Sequence, residues 1–341
     1  MSHELATRAD GKKAMAYVGK TPWHVLGEEL KPGAPLEVWT TAAGLDWEAL
    51  VTPSQYEFGG QLVTDHNAFH MVRSDTGASL SVMSKKYKPV QPAEVMGFFR
   101  DFILTDERFQ LETAGALKGG RVIWGLAKFS DPMTVAGDAH TPYVLLTTSY
   151  NGTMATTAQG TMVRVVCNNT LTASVYGGEK AMVKVPHYKD FGNATVKADA
   201  VERLGLIVTG YDRYKALGEA LAGVKLAAFQ VEGLFKRLTI DKAAKGDTDK
   251  TPTSKSRNQL EALLSSYRDT LAEGTQGGTA WAVLNGVTRY VDHARTTRDT
   301  AGEGAGGARM ASALLGSGAG LKREALDVLA DLGHIKLANA A

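Results

Sequence analysis

From about residue 47 onward, large apolar residues tend to alternate with polar ones, first in WEALVTPSQYEF and then in NAFHMVRS. A period of two puts successive side chains on opposite faces of an extended chain, so these segments predict strands with one face toward a core. LETAGALKGGRVIWGLAKF sets a Gly-Gly turn between two β-suited runs, a hairpin signal. PYVLLTTSYNG and ATTAQGTMVRVVC continue the series with Asn-Gly between them, and together these runs predict an antiparallel meander. One helix interrupts it: in PAEVMGFFRDFIL, Val95, Met96, Phe98, Phe99 and Phe102 fall on a single helical face behind Pro92.

After His187 the period lengthens. Apolar residues recur at steps of three and four in ATVKADAVERLGLIVTGYDRYKALGEALAGV, SRNQLEALLSSYRDTLAEG, TAWAVLNGVTRYVDHAR and LKREALDVLADLG, which predicts helices throughout. Stretches rich in Gly, Thr, Asp and Lys at residues 241–255 and 296–307 predict mobile loops between them. The expected fold is α+β: an antiparallel β-sheet N-terminal half with an interrupting helix, followed by a helical C-terminal half. A boundary near residue 190 divides it into a sheet-rich region over 1–190 and a helical region over 191–341.

Composition narrows the class further. Apolar residues at 44% and charged residues at 22% of 341 describe a chain that folds around a substantial core. A net charge of +2 and a pI of 8.4 do not announce a polyanion binder, so any such site has to be local. The single cysteine makes an internal disulfide impossible, and MSHELATRADGKKAMAYV lacks the apolar core of a secretion signal. No apolar run reaches the length of a membrane span, and a cytoplasmic setting is expected.

Candidate chemistry is sparse, and no complete catalytic or cofactor motif is present. In TMVRVVCNNTLTASV, residues 161–175, a strand places Met162, Arg164 and Val166 on one face and Val163, Val165 and Cys167 on the other. Arg164 among apolar neighbours reads as a guanidinium that reaches the sheet rim or pairs with a carboxylate, or as one offered to a phosphate. Asn168 or Asn169 reads as the N-cap of a short helix from Thr170 to Tyr176. A small-ligand or enzymatic pocket at this strand-to-helix turn would draw on Arg164, Cys167, Asn168, Asn169 and His187. A buried structural cysteine is the commoner alternative.

TMVRVVCNNTL resembles the signature segment of a phage- and plasmid-like protein family of unknown function found in mobile genetic elements of bacteria. AYVGKTPWHVLGEEL, YKPVQPAEV, GALKGGRVIWGLAK, TAWAVLNGVTRYVDHAR and GSGAGLKREALDVL are similar to successive segments of that family, so the likeness spans nearly the full chain. It brings no catalytic residues with it. What it implies is a module of phage or plasmid replication, recombination or transfer, acting in a bacterial host cell.

Two basic clusters are candidates for such a role. SKKYKPVQ, residues 84–91, packs Lys85, Lys86 and Lys88 around Tyr87, a pattern that suits phosphates with a base stacked on the ring, or simply a solvated loop. RYVDHARTTR sets Arg289 and Arg295 toward a helix end, where cations are favourable in any case. His66 and His70 fall about 13 Å apart on a strand at roughly 3.3 Å per residue, too far to share a metal. GSGAGLK fails the phosphate-loop pattern because Leu321 precedes the lysine and Arg323 follows it, and it reads as a flexible turn before the last helix. Neither a cofactor nor a metal is expected.

The leading expectation is a non-enzymatic protein that grips single-stranded DNA, with strand annealing as the most concrete form. Lys85, Lys86, Tyr87, Lys88, Arg121, Arg164, Arg289 and Arg295 form its expected groove. Homo-oligomerisation would join modest basic grooves into a track, with phage or host replication proteins as candidate partners. The alternatives are the pocket at residues 164–169 and a structural or host-interaction protein working through the helical half.

Overall fold

The computed structural model describes residues 5–19, 26–152, 154–164, 169–172, 182–185, 194–241, 251–296, 312–313 and 316–335. Most described strands join one nine-stranded sheet. It uses β1 (Met15–Val18), β2 (Glu28–Leu30), β6 (Phe109–Leu117), β7 (Val122–Phe129), β9 (Asp138–Ser149), β10 (Thr156–Arg164) and β11 (Asn169–Thr172) in the order β11-β10-β9-β7-β6-β1-β2. β12 (Met182–Val185) adds to β10, and β8 (Met133–Val135) adds to β9. All these pairs are antiparallel except β1 with β2. β3 (Ala49–Phe58), β4 (Gln61–Arg73) and β5 (Ser79–Ser84) form a separate three-stranded antiparallel sheet.

The two turn signals sit where expected, the Gly-Gly turn between β6 and β7 and the Asn-Gly turn between β9 and β10. The interrupting helix is α2 (Pro92–Ile103), entered through a capping box between Gln91 and Glu94 with proline in the first turn. Gln91 also ties that helix to the small sheet, because its amide exchanges hydrogen bonds of 2.8 and 3.3 Å with the backbone of Ala49. Val95, Phe98, Phe99 and Phe102 are buried against the large sheet, as their spacing predicts.

Helices complete the chain: α1 (Leu36–Ala42) near its start, then α3 (Ala194–Gly223), α4 (Ala228–Lys236), α5 (Ser254–Ala272), α6 (Ala280–Arg289) and α7 (Ser317–Leu332). Their apolar faces do not close on one another alone. A single core joins Val144, Leu146, Ala158, Met162, Val183 and Val185 of the sheet to Ile207, Trp281, Leu284 and Leu326 of the helices. Polar anchors set the register: Tyr211 donates to the Tyr143 carbonyl at 2.8 Å, and the Tyr214 hydroxyl lies 3.2 Å from His140 Nδ1. A second core under the small sheet gathers Trp39, Leu45, Trp47, Met71, Leu80, Ile123 and Tyr150.

Three local expectations need correction. Residues 169–172 are a strand paired with β10, with Asn169 opposite Arg164, where a capped helix was expected. β-branched Thr170 and Thr172 suit the ladder, and asparagines serve a hairpin as readily as a helix cap. GSGAGLK is not a flexible turn, because Ser317 already opens α7 and Gly316 is its cap. The loop expected at 241–255 ends earlier, since Thr253 caps α5 by accepting from the Ser256 amide at 3.2 Å. The expected loop at 296–307 lies almost wholly outside the described residues.

Candidate nucleic-acid interface

The basic segment SKKYKPVQ crosses from the end of β5 to the start of α2. Lys85, Lys86 and Lys88 are exposed, and none forms an ion pair among the described residues. Tyr87 is half-buried between them. Its amide donates to the Ser84 carbonyl at 3.1 Å, and its hydroxyl donates to the Ser149 carbonyl at 3.2 Å. Burial pushes its phenol above the ordinary value, so the ring stays neutral and keeps that bond. The ring is thus a peg that pins the lysine strip to the end of β9.

The rest of the ring lines an apolar groove of about 220 Å³ with Val51, Phe69, Met71, Met83, Ser84 and Lys85. Arg121 sits at the far end of β5. Its guanidinium approaches the Ser79 carbonyl at 3.4 Å, and its own carbonyl accepts from the Tyr150 amide at 2.8 Å. Tyr87 and Arg121 therefore attach to consecutive residues of one chain segment, Ser149 and Tyr150. Lys85, Lys86, Tyr87, Lys88 and Arg121 gather on this flank of the molecule.

The remaining expected residues do not join them. Arg164 pairs with His140, at the opposite end of β9 from Ser149, roughly 30 Å away at about 3.3 Å per residue. Arg289 is committed to carboxylates, at 2.5 Å to Glu273 and 3.6 Å to Asp269. Arg295 is partly buried and donates to the Ser312 hydroxyl at 3.3 Å. Both belong to the helical layer. Of the alternative pocket, Cys167, Asn168 and His187 lie outside the described residues, and Asn169 is placed only as the first residue of β11.

The residues from the start of β5 to just before α7, 79–315, match the family model for a domain of unknown function, DUF932. The chain belongs to the DUF932 family. No curated protein and no solved structure matches it. The DUF932 match takes in the lysine strip, Arg121 and most of the large sheet, and leaves β3 and β4 outside. Among the described residues no group of three or more His, Cys, Asp and Glu side chains is placed to hold a metal, and no helix is long and apolar enough to cross a membrane. His66 and His70 both lie on β4, as the strand reading requires.

Two features of this flank escape the sequence reading. One is the apolar groove beside the lysines, whose walls come from three different strands and a turn. The other is the free length of the β3–β4 hairpin. β4 pairs with β5 only from Ala68 to Val72, whereas β3 and β4 continue together to a Gly59–Gly60 turn. Both glycines have positive φ, 59° and 77°, the geometry a two-residue hairpin loop needs. The visible signal was the large apolar residues in SQYEFGGQLV on either side of that turn.

Proposed function

We propose that this DUF932 chain is a non-enzymatic protein of a mobile genetic element that holds single-stranded nucleic acid by its phosphates. The observation that carries this reading is the strip of three exposed lysines, unpaired among the described residues and pinned by Tyr87, with Arg121 at the other end of β5. A pinned strip presents its ammonium groups without first having to order a loop, and phosphate contacts of this kind release counterions. Tyr87 acts here by holding the strip, because its hydroxyl is engaged and its ring turns toward the apolar groove. The phage or plasmid setting rests on the resemblance of TMVRVVCNNTL and the segments around it. Strand annealing rests on the likeness in outline to phage annealing proteins that join a sheet to helices.

Fluorescence anisotropy with a single-stranded oligonucleotide over a salt series tests the reading. Affinity should fall steeply with salt, and changing Lys85, Lys86 and Lys88 together to alanine should flatten the log–log slope by about 2, roughly 0.7 for each lost phosphate contact. Arg289→Ala should leave that slope unchanged. Binding that ignores salt, or a triple variant with the wild-type slope, would refute the proposal.

A further inference from the structure

The end of the β3–β4 hairpin is a two-stranded ribbon that carries apolar side chains into water. Tyr56 is 54% exposed, Phe58 76% and Leu62 69%. Register places Tyr56 opposite Val63 and Phe58 opposite Gln61, so both rings share one face of the ribbon. An isolated hairpin of this kind is marginal in water. Rings exposed together at its tip mark a surface for another molecule to cover.

A receptor for such a ring exists on the same molecule. The groove of about 220 Å³ lined by Val51, Phe69, Met71, Met83 and Tyr87 exceeds the roughly 150 Å³ that holds a benzene ring in an engineered cavity. The hairpin cannot fill it itself. Val51 and Phe69 lie on the very strands that carry the tip, and Phe58 is roughly 23 Å farther along β3 at about 3.3 Å per residue. Folding back would break the pairs on both sides of the bulge between Pro53 and Ser54.

Charge says what kind of molecule brings the complementary part. Residues 53–66 of the ribbon contain Glu57 and Asp65 and no lysine or arginine, which repels phosphates and disfavours a nucleic acid there. Residues 84–91 at the groove contain Lys85, Lys86 and Lys88 and no acid. Asp65, opposite Ser54, lies on the face that carries the rings, whereas Glu57, opposite Leu62, lies on the other; a carboxylate beside the rings and a basic apolar groove are complementary, and one chain carries both.

We propose that two copies of this chain exchange ribbons, each seating Phe58 and Tyr56 in the groove of the other beside its lysine strip. With the exchange reciprocal, the two contacts are related by a two-fold axis and the assembly closes as a dimer. This goes beyond the nucleic-acid reading and is read on protein free of nucleic acid, so either proposal can fail without the other.

Light scattering behind size exclusion, over a protein dilution series at low salt, supplies the test on the full chain. The wild type should move toward twice its 36.3 kDa as concentration rises, and Phe58→Asp should remain a monomer with an unchanged circular dichroism spectrum. A variant with Glu57→Lys and Asp65→Lys should be monomeric alone, as should one with Lys85→Glu, Lys86→Glu and Lys88→Glu. Mixed together, the two should pair, since each ribbon then meets a groove of opposite sign. That recovery also shows that both variants are folded. A wild type of 36.3 kDa at every concentration, a dimer indifferent to Phe58→Asp, or a mixture that stays monomeric overturns the proposal.

Discussion

Lys322 and Asp292 lie 2.6 Å apart with side chains 1% and 8% exposed, an ion pair enclosed between α7 and the turn that follows α6. Burial pushes the lysine below its ordinary value while the carboxylate beside it opposes that shift. Removing one partner from such a pair strands a charge, whereas removing both can be nearly neutral. Asp292→Asn should therefore destabilise the protein by about 3–5 kcal/mol, and Lys322→Met combined with Asp292→Leu by much less, as read from urea midpoints. None of this is legible in LKREALDVL, where Lys322 and Arg323 look equally solvated. In the structure Arg323 instead meets Asp327 one helical turn along, at 2.9 Å. Arg289 teaches the same lesson. Its nearest acid in sequence, Asp292, pairs with Lys322, and the carboxylates that occupy it come from the end of α5. A cation's availability depends on which acid the fold brings to it, so Lys85, Lys86 and Arg289 are alike in sequence and different in space.

Hairpins and helices were legible because their signals are local: a turn dipeptide between alternating runs, or apolar steps of three and four. α2 was readable down to its buried face for that reason. Pairings between distant segments were not. The parallel contact of β1 with β2, and the separation of β3, β4 and β5 into their own sheet, depend on packing that no short window contains. The seam between β1 and β6 shows how tight such a distant contact is. A Cβ added at Gly115 would lie 2.5 Å from the Ala14 carbonyl oxygen and 3.2 Å from the Met15 Cα, both backbone atoms that cannot swing aside. Gly115→Ala should push β1 off β6 and cost on the order of 1–3 kcal/mol, a typical penalty for overpacking. Amide exchange should quicken at Ala16 and Tyr17 in that variant while β9 keeps its protection. A variant as stable as wild type would show that the seam gives way freely.

At the scale of the molecule, one core crosses the position near residue 190 where the sequence changes its period. Tyr211, Tyr214 and Trp281 pack onto strand residues His140, Val144 and Leu146, so the larger apolar interior is laid open on both sides when they are parted. The full chain should unfold in one cooperative transition, with coincident far- and near-ultraviolet dichroism curves. A chain ending at residue 190 should aggregate, its helix-facing strand residues bare. Two separated transitions would mean that the shared interior contributes little. The sequence legibly separated sheet from helix but not how they meet, since contacts such as Tyr211 to Tyr143 join residues far apart along the chain.

The place of β1 inside the large sheet has a consequence in time. Met15 finds its antiparallel partner only at Gly115, so the strand must wait for residues that do not yet exist when it is made. At bacterial and eukaryotic synthesis rates of about 5–20 residues per second, that delay is roughly 5–20 s. For that interval the apolar MAYV segment has only the three-residue β2 to pair with, and its other edge stays open to whatever chaperone or sticky neighbour reaches it first.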